Sequence, residues 1–64
     1  MRVNGKNINI QGEMTLSEFL REHGYDERRV AVEKNGEIVP RKNFDAELLS
    51  DGDKIEIVHF VGGG

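Results

Sequence analysis

Two Asn-Gly dipeptides, Asn4-Gly5 and Asn35-Gly36, constrain this chain more than any other feature. A type I′ turn needs positive φ at both central residues, and Asn followed by Gly adopts it with little strain. Each pair therefore predicts a tight hairpin. Around the first, Met1 and Val3 alternate on the way in; Ile8 and Ile10 alternate on the way out, with Asn7, Asn9 and Gln11 between. A two-residue period of this kind puts one face against a core. Before the second pair, Val30 to Lys34 predicts a strand with Val30 and Val32 on one face and Ala31 and Glu33 on the other. Glu37 to Val39 returns, and Pro40 ends the pairing because it has no N–H to offer a ladder.

Between the hairpins the period changes. Thr15 with Glu18 fits a capping box, and Leu16, Phe19, Leu20 and His23 recur at helical spacing, so a helix with one apolar stripe is predicted there. Gly24 is the residue that ends it. Such a short helix does not repay its own nucleation and must be held by packing on the sheet. Tyr25 to Arg29 reads as a charged loop. Arg41 to Leu49 reads as a 3₁₀ turn or brief helix whose Phe44, Leu48 and Leu49 plug the core. Asp51-Gly52-Asp53 makes a tight turn into a last strand, Lys54 to Phe60, with Ile55 and Ile57 inward and Glu56, Val58 and Phe60 outward. One helix laid across a mixed sheet is a two-layer α+β domain. The right-handed crossover rule places the strand after the helix parallel to the one it neighbours. This order is compatible with the ubiquitin-like β-grasp arrangement, in which the last strand lies in mid-sheet and the C-terminus leaves into solvent.

Composition excludes several classes of function. With 64 residues there is room for one domain, residues 1–60, followed by a flexible tail at 61–64. No cysteine is present, so neither disulfides nor thiolate metal sites support the fold. No apolar run approaches the about 20 residues of a membrane span. A net charge of -3 has the wrong sign for phosphate-backbone binding. Residues 1–29 hold five charges of each sign, so the excess acid lies entirely in the second half. A chain this short does not easily wall off a catalytic pocket and keep a core. A small cytoplasmic module, monomeric when alone, that works with a partner is expected.

The tail suggests how. Val61 is followed by Gly62, Gly63 and Gly64. Glycine has the most backbone entropy to lose, and a cord without Cβ atoms can thread a channel that larger residues would block. A terminal carboxylate, with a reference pKa of about 3.3–3.7, is ionised at neutral pH and can attack the α-phosphorus of ATP to give an acyl-adenylate. That chemistry needs Mg²⁺ and positive charge around the phosphates. The chain has no Gly-rich phosphate loop, so another protein must supply the nucleotide site.

At these residues the sequence resembles the ubiquitin-like sulfur carriers of the ThiS family. The resemblance runs along essentially the whole chain and is carried by Asn35-Gly36-Glu37-Ile38-Val39-Pro40-Arg41, by Asp51-Gly52-Asp53 and by the ending Ile57-Val58-His59-Phe60-Val61-Gly62-Gly63-Gly64. It implies that an E1-like, ThiF-type enzyme adenylates Gly64 and that a cysteine desulfurase system provides sulfur for a terminal thiocarboxylate. It also implies that a ThiG-type thiazole synthase takes that sulfur into the thiazole of thiamine. The family's diglycine maps onto Gly63 and Gly64, with Gly62 a third glycine. The chain then acts as a cosubstrate, not an enzyme, binds no cofactor or metal of its own, and meets ATP and Mg²⁺ in the partner. A molybdopterin-type carrier, a ubiquitin-like modifier joined to lysines, and a plain binding module with an inert tail are the alternatives.

Val58 and Phe60 adjoin the tail on the outward face and are the expected docking surface, with Glu33 and Glu56 as an acidic rim suited to a basic groove on the adenylating enzyme. His23 and His59 have no carboxylate or cysteine at ligand spacing and read as packing residues, His23 at the helix end where a cation is favoured. Arg41 and Lys42 read as solvated surface.

Overall fold

The computed structural model describes residues 1–60. In chain order it runs β1 (Arg2–Val3), β2 (Lys6–Asn7), β3 (Met14–Thr15), α1 (Leu16–Glu22), a 3₁₀ turn (Glu27–Arg29), β4 (Val30–Lys34), β5 (Glu37–Ile38), a second 3₁₀ turn (Arg41–Asn43), β6 (Leu48–Leu49) and β7 (Lys54–His59). The main sheet has the order β2-β1-β7-β4-β5. The last strand is therefore central, as the β-grasp arrangement requires.

Both Asn-Gly pairs form their turns. Asn4 and Asn35 sit at φ 51° and 53°, followed by Gly5 at 83° and Gly36 at 86°. The capping box is present in full: the Glu18 N–H donates to Thr15 Oγ1 at 3.1 Å, and the Thr15 N–H donates to Glu18 Oε1 at 2.8 Å. Donation from the Thr15 N–H, and to a smaller extent from the Thr15 hydroxyl, holds the Glu18 carboxyl below its ordinary range. Leu16, Phe19 and Leu20 are fully buried beneath the sheet with Val3, Val30, Val32, Val39, Phe44, Leu49, Ile55 and Ile57. His23 ends the stripe outside this core. Its ring stacks on Phe19 at 4.0 Å, and its Nδ1 donates to the Phe19 carbonyl at 3.0 Å.

The structure corrects four expectations. The strand after the helix, β4, is antiparallel to both neighbours; the parallel pair is β1 with β7. The place beside β1 goes to the last strand, so β4 runs in the same direction as β2 but lies beyond two intervening strands. The outgoing arm of the first hairpin stops at Asn7, and only the Ile8 N–H continues toward β1, donating to the Met1 carbonyl at 2.8 Å. Ile8 and Ile10 then flank the core from a loop, half-buried. Leu48 does not plug the core: it is 49% exposed, because Leu48–Leu49 is an extended pair facing β3, which turns Leu49 inward and Leu48 out. The loop at 25–29 contains a 3₁₀ turn, capped by the Asp26 carboxylate accepting the Arg28 N–H at 2.9 Å.

Lys34, on the core side of β4, ties down the chain at Glu47, Leu48 and Asp53. Its Nζ donates to Glu47 Oε2 and to the Leu48 carbonyl, both at 2.8 Å, and lies 3.8 Å from Asp53 Oδ2. The Glu47 bond raises the Lys34 pKa against the opposing effect of burial. Burial pushes Asp53 up, but bonds from the Asn35 amide and the Ser50 N–H, with the nearby Lys34 charge, outweigh it and hold the carboxyl below its ordinary range. No helix in the described residues is long and apolar enough to cross a membrane.

Candidate functional site

β4 and β7 define the outer face of the sheet. Their antiparallel register sets Ala31 opposite Val58 and Glu33 opposite Glu56, and Glu33 is in turn opposite Ile38 on β5. One step beyond β7, the Phe60 N–H donates to the Arg29 carbonyl at 2.9 Å, so Phe60 keeps the phase of the strand although it lies past its end. Val58 is 60% exposed and Phe60 55%. All four expected docking residues, Val58, Phe60, Glu33 and Glu56, thus share one face, with the apolar pair nearer the tail.

Ile38 was missed. It is 67% exposed, the most open of the large apolar side chains described, and it sits beside Glu33 in register. The signal was in the sequence: alternation that sends Val39 inward sends Ile38 out. Together the face reads as an apolar surface interrupted by two carboxylates. Like charges directly opposite on neighbouring strands repel. Lys54 answers one of them: its Nζ is 3.8 Å from Glu56 Oε1, with both groups exposed. Such a pair contributes little in water. Glu33 has no ion pair among the described residues.

His59 has its ring 5.5 Å from that of Tyr25, a packing contact. Among the described residues no three His, Cys, Asp or Glu side chains converge as a metal site. The concave places on the described surface are open grooves, as between Lys34, Asn35, Ile38 and Glu47. Gly62, Gly63 and Gly64, expected to thread a partner and carry the reactive carboxyl, lie outside the described residues.

Comparison with known proteins places this arrangement. A sulfur carrier protein ThiS of Bacillus subtilis is 37% identical over 65 aligned positions, covering 100% of this chain and 98% of the relative. The crystal structure of a thiamine biosynthesis protein (ThiS) from Geobacter metallireducens superposes with a TM-score of 0.83 at 38% identity, over 98% of this chain and 96% of that one. A thiazole synthase of Paramagnetospirillum magneticum is 48% identical over 62 residues, 97% of this chain but 19% of the relative. A second, from Magnetococcus marinus, is 39% identical over 64 residues, 20% of its length. The chain thus spans about a fifth of these two thiazole synthases. The model of the ThiS family matches residues 1–64. A fold with the last strand at its centre, a relative of the same size and a family match along the full sequence agree: the chain belongs to the ThiS family.

Proposed function

We propose that this protein is a sulfur carrier of thiamine biosynthesis, a cosubstrate and not a catalyst, whose reactive atom is the Gly64 carboxyl carbon. The observation that carries this reading is the central, C-terminal β7. That strand lies between β1 and β4, and its end stands beside the exposed apolar Val58 and Phe60. The relative in Bacillus subtilis is named a sulfur carrier, and it matches this chain over almost its whole length.

In the proposed sequence an E1-like, ThiF-type enzyme binds the body and holds ATP and Mg²⁺. The Gly64 carboxylate attacks the α-phosphorus, forming the acyl-adenylate and releasing pyrophosphate. A persulfide supplied by a cysteine desulfurase system then attacks the acyl carbon and expels AMP. Reductive cleavage of the S–S bond by a thiol leaves the thiocarboxylate and a disulfide. A ThiG-type thiazole synthase receives the sulfur. Two relatives are themselves named thiazole synthases with this module inside the same chain, which supports direct contact between the two proteins. Ile38, Val58 and Phe60 with Glu33 and Glu56 form the docking face, and Gly62 and Gly63 thread the partner's channel. The reading requires a free Gly64 carboxyl.

Intact-mass spectrometry after incubation with ATP, the adenylating enzyme and a persulfide donor tests it. Replacement of one terminal oxygen by sulfur is expected; a mass that stays unchanged, or attachment of the chain to lysines of other proteins, overturns it. Adding one residue after Gly64 should abolish activation without changing stability.

A further inference from the structure

β1 is shorter than the strand it pairs with. Val3, opposite Ile55, is its last residue, and the Asn4-Gly5 turn then carries the chain away. β7 continues for four more residues to His59. Along β7 the even positions turn their backbone to β4: the Lys54 carbonyl accepts from the Asn35 N–H, and the Phe60 N–H donates to the Arg29 carbonyl. The odd positions face β1, where the Asn4 N–H donates to the Ile55 carbonyl at 2.9 Å. Ile57 is the next odd position, and no backbone of β1 remains to meet it.

The Asn4 side chain fills the gap. Its Oδ1 accepts the Ile57 N–H at 2.8 Å, and its Nδ2 donates to the Ile57 carbonyl at 3.3 Å. A primary carboxamide carries the same donor and acceptor as a peptide group. One side chain therefore extends the ladder by a residue on the side that β1 has left. Turn propensity alone does not require this, since Gly tolerates the same positive φ equally well.

We infer that Asn4 is a positioning residue: its carboxamide clamps β7 at Ile57 and so sets the line along which the chain leaves the body toward Gly64. The inference rests on the carrier reading above. With the clamp, the strand is held from both sides to within three residues of Phe60. Without it, the backbone past Ile55 is hydrogen-bonded to β4 alone, and a less fixed strand end presents Gly64 less often in line with a partner's channel. A binding-competent state populated only in part raises the apparent dissociation constant by that fraction and leaves the later chemistry alone. The expected signature is a raised KM with kcat unchanged.

Asn4→Gly separates clamp from turn, because glycine keeps the backbone conformation and removes only the carboxamide. Two readouts are needed: hydrogen exchange at the Ile57 amide, and pyrophosphate release by the adenylating enzyme with ATP and Mg²⁺ at matched concentrations of folded protein. Loss of hydrogen bonds of ordinary strength corresponds to about threefold to tenfold, both in faster Ile57 exchange and in raised KM. Asn4→Asp keeps the acceptor for the Ile57 N–H and should recover part of both. Unchanged KM in Asn4→Gly alongside faster exchange makes the clamp purely structural and overturns the inference, as does unchanged exchange. Should the glycine variant fail to fold, the aspartate variant decides: faster exchange without a raised KM refutes the positioning role. No pyrophosphate from the wild-type protein sinks the carrier reading itself, and this inference with it.

Discussion

Replacing Glu33 by lysine should make the isolated protein more stable while weakening its docking. Glu33 and Glu56 are directly opposite on adjacent antiparallel strands, and both are exposed. Backbones of such a hydrogen-bonded pair are about 5.5 Å apart at Cα. Taking the carboxylates about 6 Å apart in water, Coulomb's law gives about 0.7 kcal/mol of repulsion. Screening over a Debye length of about 8 Å at physiological salt roughly halves it. Glu33→Lys turns that repulsion into attraction of similar size, a swing of about 0.7 kcal/mol. Lysine and glutamate are both poor strand formers, so propensity contributes little to the difference. For a domain of this length the swing raises Tm by about 3–5 °C. Thermal melts followed by circular dichroism at physiological and molar salt measure it. At about 1 M salt the Debye length falls to about 3 Å and the gain should nearly vanish. A Tm that falls, or a gain that survives molar salt, refutes the electrostatic argument. In a binding assay with the adenylating enzyme the same variant should associate more weakly; unchanged association would remove Glu33 from the docking face.

Thr15→Ala removes the hydroxyl that accepts the Glu18 N–H at the start of α1, leaving the residue-15 N–H to Glu18 carboxylate bond in place, and should destabilise by about 1 kcal/mol in a denaturant melt, whereas Thr15→Ser should lose little. Gly36 has φ +86° with open space where a Cβ would stand, so Gly36→Ala costs only backbone strain, about 1–2 kcal/mol, and Gly36→Asn recovers part of it. The folded pKa of Asp53 is depressed, so its contribution is present above the unfolded value near 3.8 and is lost as pH falls through the folded pKa. Stability should therefore decline below about pH 5, and Asp53→Asn should flatten that decline. Lys34 is shifted upward and behaves oppositely: its contribution is complete below its unfolded value of 10.5 and disappears only as pH rises beyond it, so neutral pH leaves it intact.

Local chemistry by itself determined the turns, the helix start and the inner face of each longer strand. Asn-Gly selects positive φ within two residues, Thr15 and Glu18 meet within one turn, and Val30, Val32, Ile55 and Ile57 share faces because side chains alternate. From those the outward Glu33, Glu56, Val58 and Phe60 were legible, and Ile38 was legible by the same rule although unread. Tertiary structure alone decided which strands meet. Met14–Thr15 pairs with Leu48–Leu49, and β1 with β7, across more than thirty and fifty residues. Backbone hydrogen bonds between such segments carry no residue-specific pattern. Leu48 therefore read as core until its partner strand turned it to solvent. The Asn4 clamp belongs to the same class, since its meaning depends on β1 ending two residues short of Ile57. Sequence spacing specifies what a residue can do within a turn or a strand, and only the closed sheet settles whose backbone it does it to.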